Sequence, residues 1–163
     1  MSDQFNSQDG QAEARPTTLP IMVNAQYIKD LSFENPNAPH SLLPGQPAPQ
    51  VSIGVDVCAQ PIGENVYEVE LELRAEAKAG DHTAFLAELT YGGVFTLQGI
   101  PTEHHRPVLL IEGPRLLFPF ARAIIAEVTR DGGFPPLMIN PIDFAEIFRR
   151  QVADDQGTGT ATA

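Results

Sequence analysis

Four segments of the chain alternate apolar and polar side chains with a period of two, and this pattern limits the possible folds more than any other feature. In residues 67–77 the odd positions are apolar and the even positions hold Glu68, Glu70, Glu72, Arg74 and Glu76. Residues 21–34, 51–59 and 83–98 alternate in the same phase. A sheet with one solvated face is typically antiparallel, and the short links 60–65 and 78–82 suit hairpins. The pattern predicts a four-stranded antiparallel sheet.

Two of the four segments contain an interruption. In residues 21–34 the apolar face is broken by Lys29, and its members are Val23, Ala25, Tyr27, Leu31 and Phe33. In residues 83–98, Gly92-Gly93 indicates a bend or a β-bulge.

After Gly99 the apolar period becomes helical. The first helix is predicted from Leu117, Phe120, Ala121, Ile124, Ile125 and Val128, and Gly132-Gly133 is a typical C-terminal stop. Pro114 suits an early turn, whereas Pro119 should kink the helix or delay its start. A last helix is predicted to open with Asn140 as its cap and Pro141 at its first position. The fold class expected is α+β, a four-stranded antiparallel sheet followed by C-terminal helices.

Length and composition indicate one domain, over residues 19–152 of 163. Residues 1–18 and 153–163 are too polar to offset their ordering entropy, so both are predicted to be disordered tails. The beginning of the chain lacks the features of a signal peptide, and charges and prolines interrupt the apolar residues 107–128. We therefore expect a cytoplasmic protein without direct membrane insertion.

The charge excludes one large class of partners. A net charge of −11 with ten Lys and Arg cannot supply the basic surface that nucleic-acid binding requires, so basic partners are expected instead. Cys58, the only cysteine, excludes an intrachain disulfide and fits a small residue in a strand.

No pattern of catalysis or cofactor binding is present, and we expect no enzyme, cofactor or metal site. Adjacent histidines on a helix diverge by about 100°, so Glu103-His104-His105 is predicted to be a solvated helix start. His40 and His82 are expected at the surface. A small enzyme using Glu103, His104 or His105 remains an alternative.

The loop of residues 35–50 is rich in proline and carries Leu42 and Leu43. With aromatic and aliphatic residues from later in the chain it predicts an apolar groove for an extended peptide, although an ordinary loop packed on a terminal helix would share the pattern. The groove candidates are Leu42, Leu43, Phe120, Phe134, Leu137, Phe144 and Phe148. The first helix is apolar over a wider arc than one sheet face needs, which favours two-fold self-association or packing under the chain's own loop.

These segments resemble the protein-export chaperone SecB family. The resemblance is carried by residues 27–39 (YIKDLSFENPNAP), 66–69 (VYEV), 83–88 (TAFLAE), 92–95 (GGVF), 117–122 (LFPFAR), 133–135 (GFP) and 140–144 (NPIDF).

The resemblance implies a homotetramer, a dimer of dimers, in which paired sheets sandwich helices. It implies an ATP-independent holdase that keeps secretory precursors unfolded and delivers them to the SecA translocase motor. The residues that match the family's SecA-docking residues are Asp30, Glu34, Leu86 and Glu88, and they would bind the basic, zinc-bearing C-terminal tail of SecA. A SecB-like chaperone of a toxin-antitoxin pair and a scaffold for folded partners remain alternatives.

Overall fold

The computed structural model describes residues 20–157 and has the α+β architecture that the sequence predicts. The sheet consists of β1 (Ile21–Glu34), β2 (Gln50–Gly63), β3 (Val66–Ala79) and β4 (His82–Leu97). All neighbours are antiparallel and the order across the sheet is β1-β4-β3-β2, so β1 and β2 are the edges. Two helices follow, α1 (His105–Asp131) and α2 (Phe144–Gly157).

The core lies between one face of the sheet and α1. The odd-numbered residues of β3 and β4 that alternation assigned to the apolar face are buried, among them Leu71, Leu89 and Phe95. Leu117 and Ile125 of α1 have no exposed surface. Gly113 lets the helix lie close to the sheet, because a Cβ there would stand 3.2 Å from Val69. The other face of the sheet is left to solvent.

Helix α1 is longer than the sequence predicts. It begins at His105, so Pro114 lies inside it rather than in an early turn, and Pro119 does not delay its start. Each proline removes a helical N–H donor. Leu117 and Ala121 are buried on the sheet, and this burial stabilises the helical turns around both prolines. Helix propensity does not include tertiary packing, so it predicts a shorter helix.

The first residue of α1 corrects the expectation of a solvated helix start. His104 is exposed, but His105 is only 6% exposed. Its Nε2 lies 2.8 Å from the carbonyl oxygen of Ile100 and its Nδ1 lies 2.8 Å from the Tyr67 hydroxyl. A carbonyl only accepts, so Nε2 carries a proton; in the neutral imidazole Nδ1 then accepts the Tyr67 hydroxyl. His105 is therefore a structural residue.

The C-terminal end of α1 and the N-terminal end of α2 are both capped. Gly133, with φ of 93°, follows α1 as predicted and donates its N–H to the carbonyl of Arg130. The cap of α2 is Asp143 instead of Asn140, because its Oδ1 accepts the Glu146 N–H at 3.1 Å. Helix α2 continues through residues 153–157, which the sequence assigned to a tail. Residues 1–19 and 158–163, which hold the predicted N-terminal tail and the end of the predicted C-terminal tail, lie outside the described part of the chain.

Strand β1 departs from simple alternation. Its register against β4 shifts between Val23 and Ala25 and again between Ile28 and Asp30. Two bulges turn the intervening residues over, so Tyr27 pairs with Gly92 on the solvent face while Leu31 pairs with Leu89 on the helix face. The prediction that Ala25 and Tyr27 share a face with Leu31 is therefore wrong.

Gly92 and Gly93 do not mark a bend in β4, because its register with β3 is regular through both residues. They give room on opposite faces. A Cβ on Gly92 would lie 2.5 Å from the Tyr27 ring, and one on Gly93 would lie 2.8 Å from Leu117. The bulges that the glycines suggested occur in the neighbouring strand β1.

Candidate functional site

The solvent face of the sheet carries three consecutive rows of side chains, which we call the acidic face. The pairing registers define the rows from β1 to β2 as Glu34-Leu86-Glu76-Ser52, Ser32-Glu88-Arg74-Gly54 and Asp30-Thr90-Glu72-Asp56. Successive rows are separated by ~7 Å, the repeat of two strand residues. Carboxylates predominate, and a shallow depression of about 280 Å³ lies over the lower two rows.

All four residues predicted to dock SecA lie together on this acidic face. Glu34 pairs with Leu86 in the first row, and Glu88 and Asp30 occupy the next two. Asp30, Glu34 and Glu88 are exposed and Leu86 is half-buried. The second bulge of β1 decides this placement, because it returns Asp30 to the solvent face after Tyr27 and Lys29 have occupied it.

One basic side chain, Arg74, stands inside the three rows. Its Nε lies 3.7 Å from Oε1 of Glu88 and its Nη2 lies 3.4 Å from Oε2 of Glu76. The side chain is 51% exposed. On β2 the opposite residue is Gly54, which has no side chain to cover it. The alternation pattern placed Arg74 on this face without indicating its carboxylate partners.

A polar cluster adjoins the acidic face and ties three strands together. Tyr27 donates its hydroxyl to Glu68, and Gln60 donates to the same carboxylate at 2.6 Å. Lys29 pairs with Glu68 and with Glu70. The hydrogen bonds from Tyr27, Gln60 and Lys29 lower the pKa of Glu68 to about 2. Burial and the carboxylate of Glu68 raise the pKa of Tyr27 to about 12.

An apolar cleft of about 620 Å³ opens beside the turn of the β3–β4 hairpin. The proline-rich loop between β1 and β2 forms one wall, and Asn37 anchors it by donating to the Thr83 carbonyl at 2.8 Å. The lining residues are Pro36, Asn37, Ala38, His40, Ser41, Gln46, Pro47, Ala48, Pro49, Ala79, His82, Thr83, Ala84, Phe134 and Pro135. His40 and His82 are exposed there, as expected of surface residues.

The predicted groove residues separate into distinct environments. Phe134 lines the cleft, and Leu42 approaches the backbone of Gly133 beside it. Leu43 is 51% exposed on the loop. Leu137 is half-buried and donates its backbone N–H to the Thr129 hydroxyl.

Apart from Phe134, the groove candidates are not among the residues that line the cleft. Phe144 is 1% exposed and packs against Phe118 in the core, so a client could reach it only by unpacking the core. Phe148 is half-buried on α2 against the core. Phe120 is 51% exposed and stacks on Tyr91, with ring centroids 6.5 Å apart.

The sequence did not identify the contribution of the β3–β4 hairpin to the cleft. Thr83 and Ala84 line it, and Phe85 beneath them contacts Phe33 at 5.8 Å and Phe134 at 5.0 Å between ring centroids. This aromatic row joins residues far apart in the chain. No local sequence pattern predicts this row, since each ring lies at a position where any apolar residue would fit the strand or loop pattern.

Apolar side chains also remain exposed along β1 and one flank of α1. Ile28 is 48% exposed and Leu31 is 38% exposed, although both face the helix layer. Leu116 and Phe120 of α1 are 39% and 51% exposed. In residues 20–157 no helix combines the length and the apolar character needed to cross a bilayer, and no group of three potential metal ligands occurs.

The sequence was compared with known families and proteins. The family described as "Preprotein translocase subunit SecB" matches residues 12–155. "Protein-export protein SecB" of Rhizobium johnstonii is 55% identical over 163 residues, which cover 100% of this chain and 98% of the relative. The protein of the same description from Rhodospirillum centenum is 53% identical over 148 residues, covering 90% and 88% of the two chains.

Among solved structures, a SecB-like chaperone of Mycobacterium tuberculosis, in complex with a ChAD peptide from the HigA1 antitoxin, has the same fold with a TM-score of 0.58. Its identity is 16%, and the alignment covers 76% of this chain and 91% of that one. The family match and the two relatives cover nearly the whole length at high identity, and the chain belongs to the SecB family of protein-export chaperones.

Proposed function

We propose that this SecB chaperone acts in the cytoplasm as an ATP-independent holdase: it binds unfolded secretory precursors in the apolar cleft and delivers them to SecA through the acidic face. The observation that carries the proposal is that the two surfaces have no residue in common. The cleft lies between the loop and the hairpin end, while Asp30 and Glu88 lie on the sheet face. A client and a docking partner would therefore contact different side chains.

The cleft suits an extended and flexible chain. Its prolines restrict the conformations of the loop, and Phe134 with Pro47 offers an apolar surface to side chains that a folded protein would hide. One large apolar side chain contributes roughly 1.5–3 kcal/mol when buried, whereas association costs about 4–15 kcal/mol. Several weak anchors are thus needed, and a long client can supply them by occupying repeated clefts of an oligomer.

The acidic face suits a basic partner such as the zinc-bearing tail of SecA. Exposed carboxylates at Asp30, Glu34 and Glu88 attract cations over several ångströms and raise the association rate. Leu86 adds an apolar contact among them. We expect docking that weakens steeply as salt is added.

Exposed apolar residues favour assembly into the homotetramer. β1 is an edge strand with unpaired backbone groups on one side, and Ile28, Leu31, Leu116 and Phe120 leave an apolar strip beside it. Covering this strip with a second copy would remove it from water. Static light scattering tests assembly directly, and a monodisperse monomer would contradict it.

The central experiment separates holding from catalysis and from scaffolding. Purified protein without ATP should suppress aggregation of a denatured secretory precursor while ignoring the same precursor once folded. Equal binding of both forms would contradict the holdase role and favour a scaffold. Alanine at the exposed Glu103 and His104 should leave client binding unchanged if the protein is not an enzyme that uses them.

A toxin-antitoxin role is the second candidate function. It is favoured by one observation, that the mycobacterial SecB-like chaperone of this fold holds an antitoxin peptide. A dedicated antitoxin chaperone has no need for a SecA-docking face, so isothermal titration with SecA distinguishes the two roles. Absence of SecA binding at low salt would favour the antitoxin role.

A further inference from the structure

Arg74 occupies a position that a basic partner would have to share. In the register of the sheet it stands directly beside Glu88, and Ser32 is the next residue of the same row. The rows on either side contribute Glu76 and Glu72, ~7 Å along the same strand. Arg74 is the one basic side chain in these three rows.

The guanidinium is already engaged with carboxylates of the acidic face. It contacts Glu88 at 3.7 Å and Glu76 at 3.4 Å, and it lines the same depression as Asp30 and Glu88. Both members of the Arg74–Glu88 pair are about half exposed, at 51% and 49%. The pair is therefore weak and can be opened by a competing cation.

We propose that Arg74 is an internal competitor for the docking partner: it neutralises Glu88 in the free chaperone and keeps the affinity of the acidic face for a basic segment low. This inference rests on the proposed docking function. An incoming lysine or arginine must displace Arg74 from Glu88 before it can pair there. Weak docking would allow the partner to leave after delivery.

The location of the pair explains why displacement is feasible. Arg74 pairs with Glu88 of β4 on one side and with Gly54 of β2 on the other. A Cβ added at Gly54 would lie 3.7 Å from the Arg74 Cβ. No side chain at residue 54 covers the guanidinium on that side. Arg74 can thus swing toward β2, where Asp56 also lines the depression.

The test measures binding of SecA, and of a short fluorescent peptide rich in lysine and arginine, at low salt. Arg74→Gln should bind either probe roughly two- to fivefold more tightly, the range expected from removing one exposed ion pair. The matched control is Arg130→Gln, which removes the same charge from an exposed ion pair at the end of α1. It should change binding less than Arg74→Gln.

A double-mutant cycle with Glu88→Gln identifies local competition. Glu88→Gln alone should weaken binding, and in that background Arg74→Gln should tighten binding less than it does in the wild-type chain, because only its contact with Glu76 remains to be released. If Glu88→Gln weakens binding but Arg74→Gln does not tighten it beyond the control, the competitor role is wrong and the docking role stands. If neither probe binds the wild-type chain, both are wrong.

Discussion

The acidic face and the apolar cleft are built in opposite ways. The face is a set of side chains at regular positions on hydrogen-bonded strands, with Glu34, Glu88 and Asp30 in adjacent rows. The cleft is formed by a loop, by the end of a hairpin and by the segment after α1, which contributes Phe134. The position of charge on a sheet face thus follows from strand periodicity, whereas the shape of a cleft depends on the packing of segments that are distant in the chain.

The largest effect should come from the cleft. Phe134→Ala should weaken binding of an unfolded precursor roughly tenfold or more, because it removes a large apolar contact worth roughly 1.5–3 kcal/mol. Fluorescence anisotropy with a labelled precursor measures this, while SecA affinity should not change. Met138→Ala, at a 57% exposed residue outside the cleft, is the matched control.

Because Phe134 also contacts Phe85, a second variant keeps the test independent of folding. Ala48→Asp places a charge in the loop wall of the cleft without altering the core. It should also lower client affinity. Unchanged capture by both variants, with the fold intact by circular dichroism, would remove the cleft from client binding.

Changes in the acidic face should have the opposite pattern, weakening SecA binding while leaving client binding intact. Asp30→Lys with Glu34→Lys should weaken SecA binding roughly tenfold at low salt, because two attractive charges become repulsive. Suppression of client aggregation should remain near normal. Equal SecA affinity of variant and wild type by titration calorimetry would refute the docking assignment.

A smaller effect is expected where the acidic face is anchored. Tyr27→Phe should lower the free energy of unfolding by about 1–2 kcal/mol, since a hydrogen bond to a charged group contributes more than a neutral one. Urea denaturation measures it. Tyr91→Phe is the control, because the Tyr91 hydroxyl donates to the neutral Gln26 side chain, at 3.3 Å, and its loss should cost less.

A further effect should appear in acid. The pKa of Glu68 is lowered from 4.5 to about 2 in the folded chain by its hydrogen bonds with Tyr27, Gln60 and Lys29. Its contribution to stability is therefore present above pH 4.5 and is lost as the pH falls through 2. Glu68→Gln should flatten the fall of unfolding free energy across this window. Glu103→Gln, which removes a charge from the exposed turn before α1, provides the reference slope.

Much of the fold could be predicted because sheet and helix periods are local. The bounds of β1 agree with the alternating segment, and the α1 stop at Gly132-Gly133 was recognised from residue type. The face of Tyr27 was not predictable in this way. A bulge adds one residue to one strand only, so the side of every following residue depends on the partner strand.

The site was predicted unevenly for the same reason. Asp30, Glu34, Leu86 and Glu88 were predicted to dock SecA from the family resemblance, which stays a prediction, and alternation placed all four on one face, where the structure has them. Phe144 was expected in the groove but lies in the core, because its apolar character is the same in both settings. The contribution of Thr83 and Ala84 to the cleft appeared only with the structure.

The sequence by itself determined the α+β class, the excess of negative charge and the face on which that charge lies, because these depend on spacing within single strands and helices. Only the tertiary structure decided that Tyr27 turns outward over Gly92, that His105 is buried against Tyr67, and that Arg74 stands among the carboxylates of the acidic face. These outcomes depend on strand order and register. Both are set by the simultaneous packing of segments that are distant in the chain, so no local pattern encodes them.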